Sequence, residues 1–355
     1  EDQRRLSAKG KIAAGAAGWT VGVALGLNEI AHDRLVALWP VNLVPMTRLW
    51  VDKNVLSGAL TDVKADLQLQ QGSEPQLHLS YNFANADVRF VDTLPPIEAG
   101  SGSATIEGQT YRMVLTQGTV TPPEGGKIDV ATSVFSIPDV TAMPAIAEVS
   151  LHTRSSLTAA LSLLDQPPFF FMSKADLPVT LGQGTAVIDT TLRLPLQPKI
   201  MIEDVEYSVK GVLSDVVSTT LVPGRKLTAP RLDVTATRAG LQINGKGLIG
   251  VVPFDASYSQ GFGAADKGLA QIAGTISLSQ QAAEDFGLGL PEGMVSGKGV
   301  AQVTIDLRRG QAGKLSLRSD LAGIGLSIGG LGWSKPAAAT GSLSAEVTLA
   351  TLPKV

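Results

Sequence analysis

The side chains best suited to catalysis or metal binding are scattered along this 355-residue chain rather than clustered. Its three histidines, His32, His78 and His152, lie far apart in sequence, and none has carboxylates at the spacing of a metal site. We therefore expect a structural or surface role for all three. The chain has no cysteine, which excludes disulfides and thiolate metal sites.

Other motifs that could do chemistry lack the context they need. A serine nucleophile elbow requires a downstream acid and histidine, and His152 is the last histidine. The adjacent pairs Glu203-Asp204 and Glu284-Asp285 are expected to be solvated rather than paired across a substrate. The Gly-x-Gly segments at 100–102 and 182–184 lack the strand–loop–helix order of a phosphate loop, so turn or strand glycines are expected. The sequence predicts no enzyme, no metal and no cofactor.

Composition narrows the fold and the partners further. The chain is 44% hydrophobic but only 5% aromatic and 17% charged, with 38 glycines and 20 prolines. Abundant turn residues between apolar runs indicate an all-β protein with a few short helices. The net charge is −3 and basic residues occur at most as isolated doublets, so nucleic-acid binding is excluded as a function class.

The dominant pattern along the chain is an apolar residue at every second position after a glycine, which is typical of a strand with one apolar face. The pattern follows Gly184, Gly297 and Gly341. After Gly58 the apolar phase slips by one residue, so that Val63, Ala65, Leu67 and Leu69 carry it. The alternation from Trp19 to Leu27 likewise favours a strand over a membrane span for the uncharged stretch 12–28. A further alternating run is Leu248, Gly250, Val252 and Phe254.

Three helical segments separate the strands. The first covers 28–54, with Asn28 as the expected N-cap, a stop at Pro40 and a second helix after Pro45. The second covers 156–166, and the third covers 279–286 with Gly287 as its C-terminal cap. We expect a mainly β fold: an elongated, twisted antiparallel sheet curled into an open hydrophobic groove. The segments suggest modules at 1–155, 156–278 and 279–355, the third truncated.

The apolar strand faces have two possible explanations. Most half-apolar strands pack on a core, and this chain could be a structural or adhesin-like β-repeat that binds nothing. However, only about 36 residues could form covering helices, and aromatic core fillers are few. A sheet curved around a lipid would satisfy the same apolar faces. A carbohydrate-binding β-fold is a third possibility, disfavoured because the chain has only four Trp and four Tyr.

Several local signatures, in this order, resemble one known family. The resemblance is to the central region of the AsmA-like family, closest to its YhdP branch and more distantly to TamB, and it covers nearly the whole chain. The signatures are Leu38-Trp39-Pro40, Arg48-Leu49-Trp50-Val51, Leu56-Ser57-Gly58, Phe83-Ala84-Asn85-Ala86-Asp87-Val88, Leu94-Pro95-Pro96-Ile97, Leu194-Pro195-Leu196, Gly211-Val212-Leu213-Ser214-Asp215-Val216, Leu241-Gln242-Ile243-Asn244-Gly245-Lys246-Gly247 and Leu331-Gly332-Trp333-Ser334-Lys335.

The resemblance implies a periplasmic protein of the Gram-negative envelope whose curved sheet conducts phospholipids between the inner and outer membranes. The parent protein would be anchored in the inner membrane through parts outside this chain, and the sequence does not identify protein partners. Acyl chains would lie on the inward rows of the strands. The expected groove-lining residues are Ile188, Leu192, Leu194, Val209, Leu232, Val234, Ile243, Val303, Ile305, Leu307, Val347 and Leu349. A one-residue shift in the register of a strand would move these side chains to the other face of the sheet. The phase change after Gly58 indicates such a shift.

Overall fold

The computed structural model describes residues 6–15, 18–41, 44–197, 199–266 and 268–349. The described part is 59% strand and 13% helix, which confirms the mainly β fold with few short helices. Eighteen strands belong to one antiparallel sheet, and three short strands form a second sheet. The described residues divide into two compact units. Unit 1 draws on Glu1–Ser155, Gln166–Phe169 and Ile188–Tyr207, and unit 2 on Ser156–Asp165, Phe170–Val187 and Ser208–Val355.

Unit 1 is an antiparallel meander in which successive strands pair in chain order. Its strands are β1 (Leu6–Gly15), β2 (Gly18–Ala31), β3 (Val55–Gln70), β4 (Gln76–Val88), β5 (Ile97–Glu107), β6 (Thr110–Val120), β7 (Ile128–Asp129), β8 (Val134–Ile137) and β9 (Ile146–Ser156). Strand β10 (Gln183–Pro195) pairs with β9 and contributes Ile188–Pro195 to this unit. The stretch predicted as a strand at 12–28 falls on β1 and β2, and its residues 16–17 lie outside the described residues.

Two helices stand between β2 and β3. Helix α1 (His32–Leu38) buries Val36, and helix α2 (Pro45–Asn54) begins with the expected proline at its first position. The predicted N-cap at Asn28 is wrong, because β2 continues to Ala31 and the helix begins at His32. Asn28 lies within β2, and the residues that follow it, Glu29 to Ala31, pair with Thr61 to Ala59 of β3, so strand pairing overrides the capping preference.

Unit 2 is also built mainly as an antiparallel meander. Its strands are the remainder of β10, β11 (Glu206–Val222), β12 (Arg225–Thr237), β13 (Gly240–Ile249), β14 (Val252–Gly261), β15 (Leu269–Leu278), β17 (Gly299–Arg308), β18 (Lys314–Ser319) and β21 (Leu343–Thr348). The small second sheet consists of β16 (Val295–Gly297), β19 (Ile324–Ile328) and β20 (Trp333–Lys335). The expected single run from Leu248 to Phe254 is wrong, because β13 ends at Ile249 and β14 begins at Val252.

Three helices belong to unit 2: α3 (Leu157–Leu164), α4 (Phe171–Lys174) and α5 (Gln280–Asp285). The predicted helix at 156–166 is confirmed, since Ser156 Oγ caps α3 by accepting a hydrogen bond from Ala159 N at 3.0 Å. The predicted helix at 279–286 is confirmed in the same way: Ser279 Oγ accepts from Ala282 N at 3.1 Å. Gly287 follows with φ +69°, the left-handed conformation expected of a C-terminal cap.

One of the two predicted module boundaries coincides with a boundary between the units, and the other does not. The boundary at 155/156 coincides with a change of unit. The boundary at 278/279 lies between β15 and β17, which pair directly from Leu269–Arg308 to Leu278–Gly299.

The phase slip after Gly58 has a local cause in β3. Asp62 adopts φ +52°, and the register between β3 and β4 shifts between Thr61 and Lys64. Such a bulge adds one residue to one strand and moves the following side chains to the other face. Leu60 before the bulge and Val63 after it therefore lie on the same face of the sheet, although their numbers differ in parity.

The buried core of the described residues is small. Twenty hydrophobic residues are buried, nine of them alanines, although 44% of the chain is hydrophobic. In unit 2 one buried cluster consists of Leu157 on α3 with Val216 and Ala229 on β11 and β12. This cluster lies where a helix meets the sheet, and most apolar strand residues of the unit lie outside it.

Candidate functional site

The main candidate site in unit 2 is a row of apolar residues that runs across eight strands in register. Each member lies directly opposite the next on the neighbouring strand. The row is Gly211, Val234, Ile243, Tyr258, Ile272, Ile305, Leu315 and Val347. We call the side of the sheet that carries this row the apolar face of unit 2. Successive residues along each strand alternate between the two sides, so the rows next to this one follow from the same register, up to the shift between Thr228 and Arg231.

The neighbouring row faces the other side of the same sheet and is polar throughout. It consists of Lys210, Thr235, Gln242, Ser259, Gln271, Asp306, Lys314 and Thr348. Every member except Ser259 is exposed. Solvent therefore covers one side of the sheet, whereas the opposite side presents hydrocarbon along the same eight strands.

The apolar row is shielded but not buried. Seven of its members are half-buried, and Val347 on the last strand remains 49% exposed. A row fully covered by a second sheet or by helices would be buried throughout, as side chains in a close-packed interior are. These side chains keep part of their apolar surface accessible, which a ligand could cover.

The predicted residues of unit 2 lie together on this apolar face. Val234, Ile243, Ile305 and Val347 belong to the row described above. The others stand on adjacent rows of the same face, where Val209 pairs with Ala236, Leu232 with Leu213, Val303 with Gly274 and Leu307 with Ala270. Leu349 follows the end of β21 by one residue, and its backbone N donates to Gly313 O at 2.8 Å.

Unit 1 has its own apolar row across seven strands. It consists of Ala8, Leu25, Ala65, Leu79, Ile106, Tyr111 and Ile137, each opposite the next. The row on the other side is mostly polar: Lys9, Ala24, Asp66, His78, Glu107 and Thr110. We call the first side the apolar face of unit 1. Its inner members are half-buried, and Leu25 near the edge is 46% exposed.

Ile188, Leu192 and Leu194 on β10 belong to the apolar face of unit 1. Their neighbours Asp189 and Arg193 point to the opposite, polar side, where they meet side chains of β9. All three predicted residues are half-buried, and the intervening Thr190 shares their side of the strand.

One contact on the polar side was not visible in the sequence. His152 Nδ1 lies 2.7 Å from Asp189 Oδ1, although the two residues are 37 positions apart. Only the pairing of β9 with β10 brings them together. Both side chains are largely exposed, so the pair is a surface contact of small energetic weight. His32 begins α1 and is partly buried, and His78 is exposed on β4.

The acidic pairs have structural partners. Asp204 Oδ2 accepts a hydrogen bond from Met201 N at 2.9 Å, which caps a single helical turn. The expectation that Glu284-Asp285 is solvated is wrong for Asp285, because its Oδ2 is buried and lies 3.5 Å from Arg225 Nε. The Gly-x-Gly segments contribute to β5 and β10 as expected. No group of three or more His, Asp or Glu residues in the described ranges could hold a metal ion.

Helix α3 covers one end of the apolar face of unit 2. Leu213 and Leu232, which lie opposite each other on that face, pack against the cluster around Leu157. The next row, Gly211 with Val234, is outside that cluster. The helix therefore closes the face at one end and leaves the rows beyond it accessible.

Few polar atoms interrupt the apolar faces. In unit 1 the hydroxyls of Tyr81 and Tyr111 lie 3.0 Å apart, and in unit 2 Tyr258 Oη donates to Gln260 Oε1 at 2.9 Å. Desolvation raises the pKa of Tyr81, Tyr111 and Tyr258 above the ordinary value of 10.0. These hydroxyls are therefore neutral donors and acceptors at physiological pH.

Comparisons with protein-family models, curated proteins and solved structures gave no match to this chain. The resemblance to the AsmA-like family therefore stays a prediction that rests on the signatures quoted above. None of the helices in the described part of the chain has the length and apolarity to cross a membrane.

Sequence reasoning missed about half of the apolar faces. Tyr258, Ile272 and Leu315 complete the row of unit 2, and Leu79 and Ile106 carry that of unit 1. The alternation of Leu77, His78 and Leu79 was a usable signal. Other members were hidden because glycine, alanine and tyrosine share the same face with the aliphatic residues.

Proposed function

We propose that this chain is a segment of a lipid-transfer bridge in which the apolar faces of its sheet bind the acyl chains of phospholipids. The observation that carries the proposal is the in-register apolar row of unit 2, from Gly211 to Val347, which crosses eight strands beside a polar row and is half-buried on seven of them. It is a non-enzymatic function that needs no cofactor.

The energetics of the apolar face favour such a ligand. Each methylene removed from water contributes about 0.8 kcal/mol, so burying eight methylenes of one chain contributes about 6 kcal/mol. The row contains no charged side chain that an acyl chain would have to desolvate. The same contacts recur from strand to strand, so a chain can slide between equivalent positions without crossing a polar barrier.

The lipid headgroup would remain in water at the rim of the sheet. Transport along such a face is passive, and its direction would come from partners or from differences between the membranes. A structural β-repeat, the main alternative, has no need of an uncovered apolar row, which exposes hydrocarbon to water at a cost.

The resemblance to the AsmA-like family, YhdP branch, supplies the proposed location. The chain would lie in the periplasm of a Gram-negative bacterium, within a parent protein anchored in the inner membrane. Its partners would be phospholipids and, through parts outside this chain, the inner and outer membranes.

The test compares two substitutions at adjacent positions on opposite faces. Ile305→Asp places a charge on the apolar row, whereas Thr304→Asp places it on the polar side, opposite Ala273 and Ser316. Both proteins are purified, checked for β-rich circular dichroism, and extracted for lipid analysis by mass spectrometry. Leu192→Asp repeats the experiment on β10.

Loss of copurified phospholipid in Ile305→Asp and Leu192→Asp, with retention in Thr304→Asp, supports the proposal. Equal lipid content in all variants contradicts it. A wild-type protein that carries no lipid, and takes up none from vesicles, would instead support a structural β-repeat.

A further inference from the structure

The apolar face of unit 1 contains one pair of polar side chains that contact each other across a strand. Tyr81 on β4 and Tyr111 on β6 are separated by β5, yet their Oη atoms lie 3.0 Å apart. Ala104 of β5 pairs with Tyr81 and is only 2% exposed, so its small side chain lies beneath the contact. The Tyr111 ring also packs edge-on against Phe135, at 6.1 Å between centroids.

The hydrogen-bond capacity of this pair is only partly used. Two hydroxyls carry two hydrogens, and a single hydrogen lies between the two oxygens. Among the described residues, each hydroxyl has the other as its only hydrogen-bond partner. One donor is therefore left over on a face that is otherwise hydrocarbon, where an unpaired hydroxyl is unfavourable.

The surroundings define the acceptor that this donor fits. Leu79 and Ile106 lie beside the pair in the same row, and Ile137 follows Tyr111 on β8. This part of the row has no cation to balance a phosphate, whose desolvation would be costly. A neutral carbonyl oxygen accepts the hydrogen bond without that cost, and acyl esters carry such an oxygen between the headgroup and the chain.

We infer that the Tyr81–Tyr111 pair donates a hydrogen bond to the ester carbonyl of a bound acyl lipid, and so selects ester-linked over ether-linked chains. The inference rests on the proposed lipid-binding function. A lipid that slides along the apolar face would pause here, because this is where its linkage oxygen finds a partner. The pair thus acts as a specificity-determining contact rather than a catalytic one.

The test uses a competition between diester phosphatidylcholine and its diether analogue of equal chain length. The whole delipidated chain is incubated with vesicles that contain equal amounts of both, and bound lipid is quantified by mass spectrometry. A net neutral hydrogen bond corresponds to a diester preference of about two- to ten-fold in the wild type. The double variant Tyr81→Phe/Tyr111→Phe should bind less of the diester lipid than the wild type does, so that it takes up both lipids equally.

Thr105→Val is the matched control, because it removes a hydroxyl from the polar side of β5, where Thr105 lies opposite Ser80 and Arg112. This variant should retain the wild-type preference. Equal binding of the two lipids by the wild type overturns the inference and leaves the proposed function standing. Uptake of neither lipid overturns both. A preference that survives in the double variant, or disappears equally in Thr105→Val, shows that another group distinguishes the two linkages and overturns the assignment to this pair.

Discussion

Leu213 and Leu232 lie opposite each other on β11 and β12, and both pack against the buried cluster that Leu157 of α3 closes. In the next row, the side chains of the apolar face lie outside this cluster and are only partly buried. The same face of one sheet is therefore a conventional core at one end and a surface available to a ligand along the rest. This difference predicts different costs for the same substitution at the two places.

Leu157→Ala should lower the free energy of unfolding by about 2–4 kcal/mol, because it opens a cavity in the cluster. Leu315→Ala, on the half-buried row, should cost about 1 kcal/mol or less in delipidated protein. Urea unfolding followed by circular dichroism measures both. Equal losses in the two variants would mean that the row is packed as tightly as a core, and would contradict an accessible face.

The tyrosines of the apolar faces predict how stability changes at alkaline pH. Because desolvation raises the pKa of Tyr81, Tyr111 and Tyr258, the folded protein keeps these protons at pH values where the unfolded chain loses them. The stability that this contributes is fully present below about pH 10 and is lost as the pH rises further. Tyrosinate absorbance should therefore lag behind that of the chain in denaturant.

The double variant Tyr81→Phe/Tyr111→Phe provides the control for this titration. It should show a shallower loss of stability above about pH 10, since it lacks two of the groups that titrate. A folded wild-type protein whose tyrosines all ionise near their ordinary pKa would contradict the shielding of these faces.

Much of the fold could be predicted from the sequence because its two strongest signals are local. Period-two alternation specifies strands with one apolar side, and Ser156, Ser279 and Gly287 specify helix ends through their own hydrogen bonds or backbone conformation. Asn28 carries a capping signal as well, but strand pairing of β2 with β3 outweighs it.

The pairing of strands could not be read from alternation. The run from Leu248 to Phe254 keeps its apolar phase through the turn at Gly250, which has φ +60°, so alternation alone gives no sign of the hairpin. The contact of His152 with Asp189 likewise depends on which strands are neighbours. For the candidate site, alternation within one strand predicts which of its residues share a face. Which residues of neighbouring strands lie opposite each other depends on the register.

A half-buried ion pair connects helix α5 to the start of β12. Arg225 Nε lies 3.5 Å from Asp285 Oδ2, Arg225 Nη2 donates to Asp285 O, and the guanidinium stacks 4.6 Å from the Phe286 ring centre. Asp285 Oδ2 is buried and accepts no hydrogen bond among the described residues, so the Arg225 charge is what compensates it. Arg225→Met should therefore lower the free energy of unfolding by about 2 kcal/mol, because it leaves that carboxylate without a counter-charge.

Arg231→Met is the matched control for this pair. Arg231 Nη2 lies 2.6 Å from Asp233 Oδ1, closer than the Arg225 pair, yet both side chains are more than half exposed. Its removal should leave the urea midpoint unchanged within error, since water screens the exposed pair. If the two variants lose the same free energy of unfolding, the burial of Asp285 is not the reason that the Arg225 pair stabilises the fold.

Gly58 predicts a large backbone effect in unit 1. Its φ of +128° is rarely adopted by other residues, and a Cβ at this position would lie 2.8 Å from Ala86 Cα on the neighbouring strand. Gly58→Ala should therefore cost about 2 kcal/mol or more, through backbone strain and the contact with Ala86.

The control is Gly22→Ala on β2, where an added Cβ meets nothing within 4 Å and should stabilise the strand by about 0.5 kcal/mol. Because β3 carries the irregular register just beyond Gly58, amide exchange in Gly58→Ala should rise first along β3 and β4. Equal stability of the two variants would show that this close approach of the strands is absent in solution.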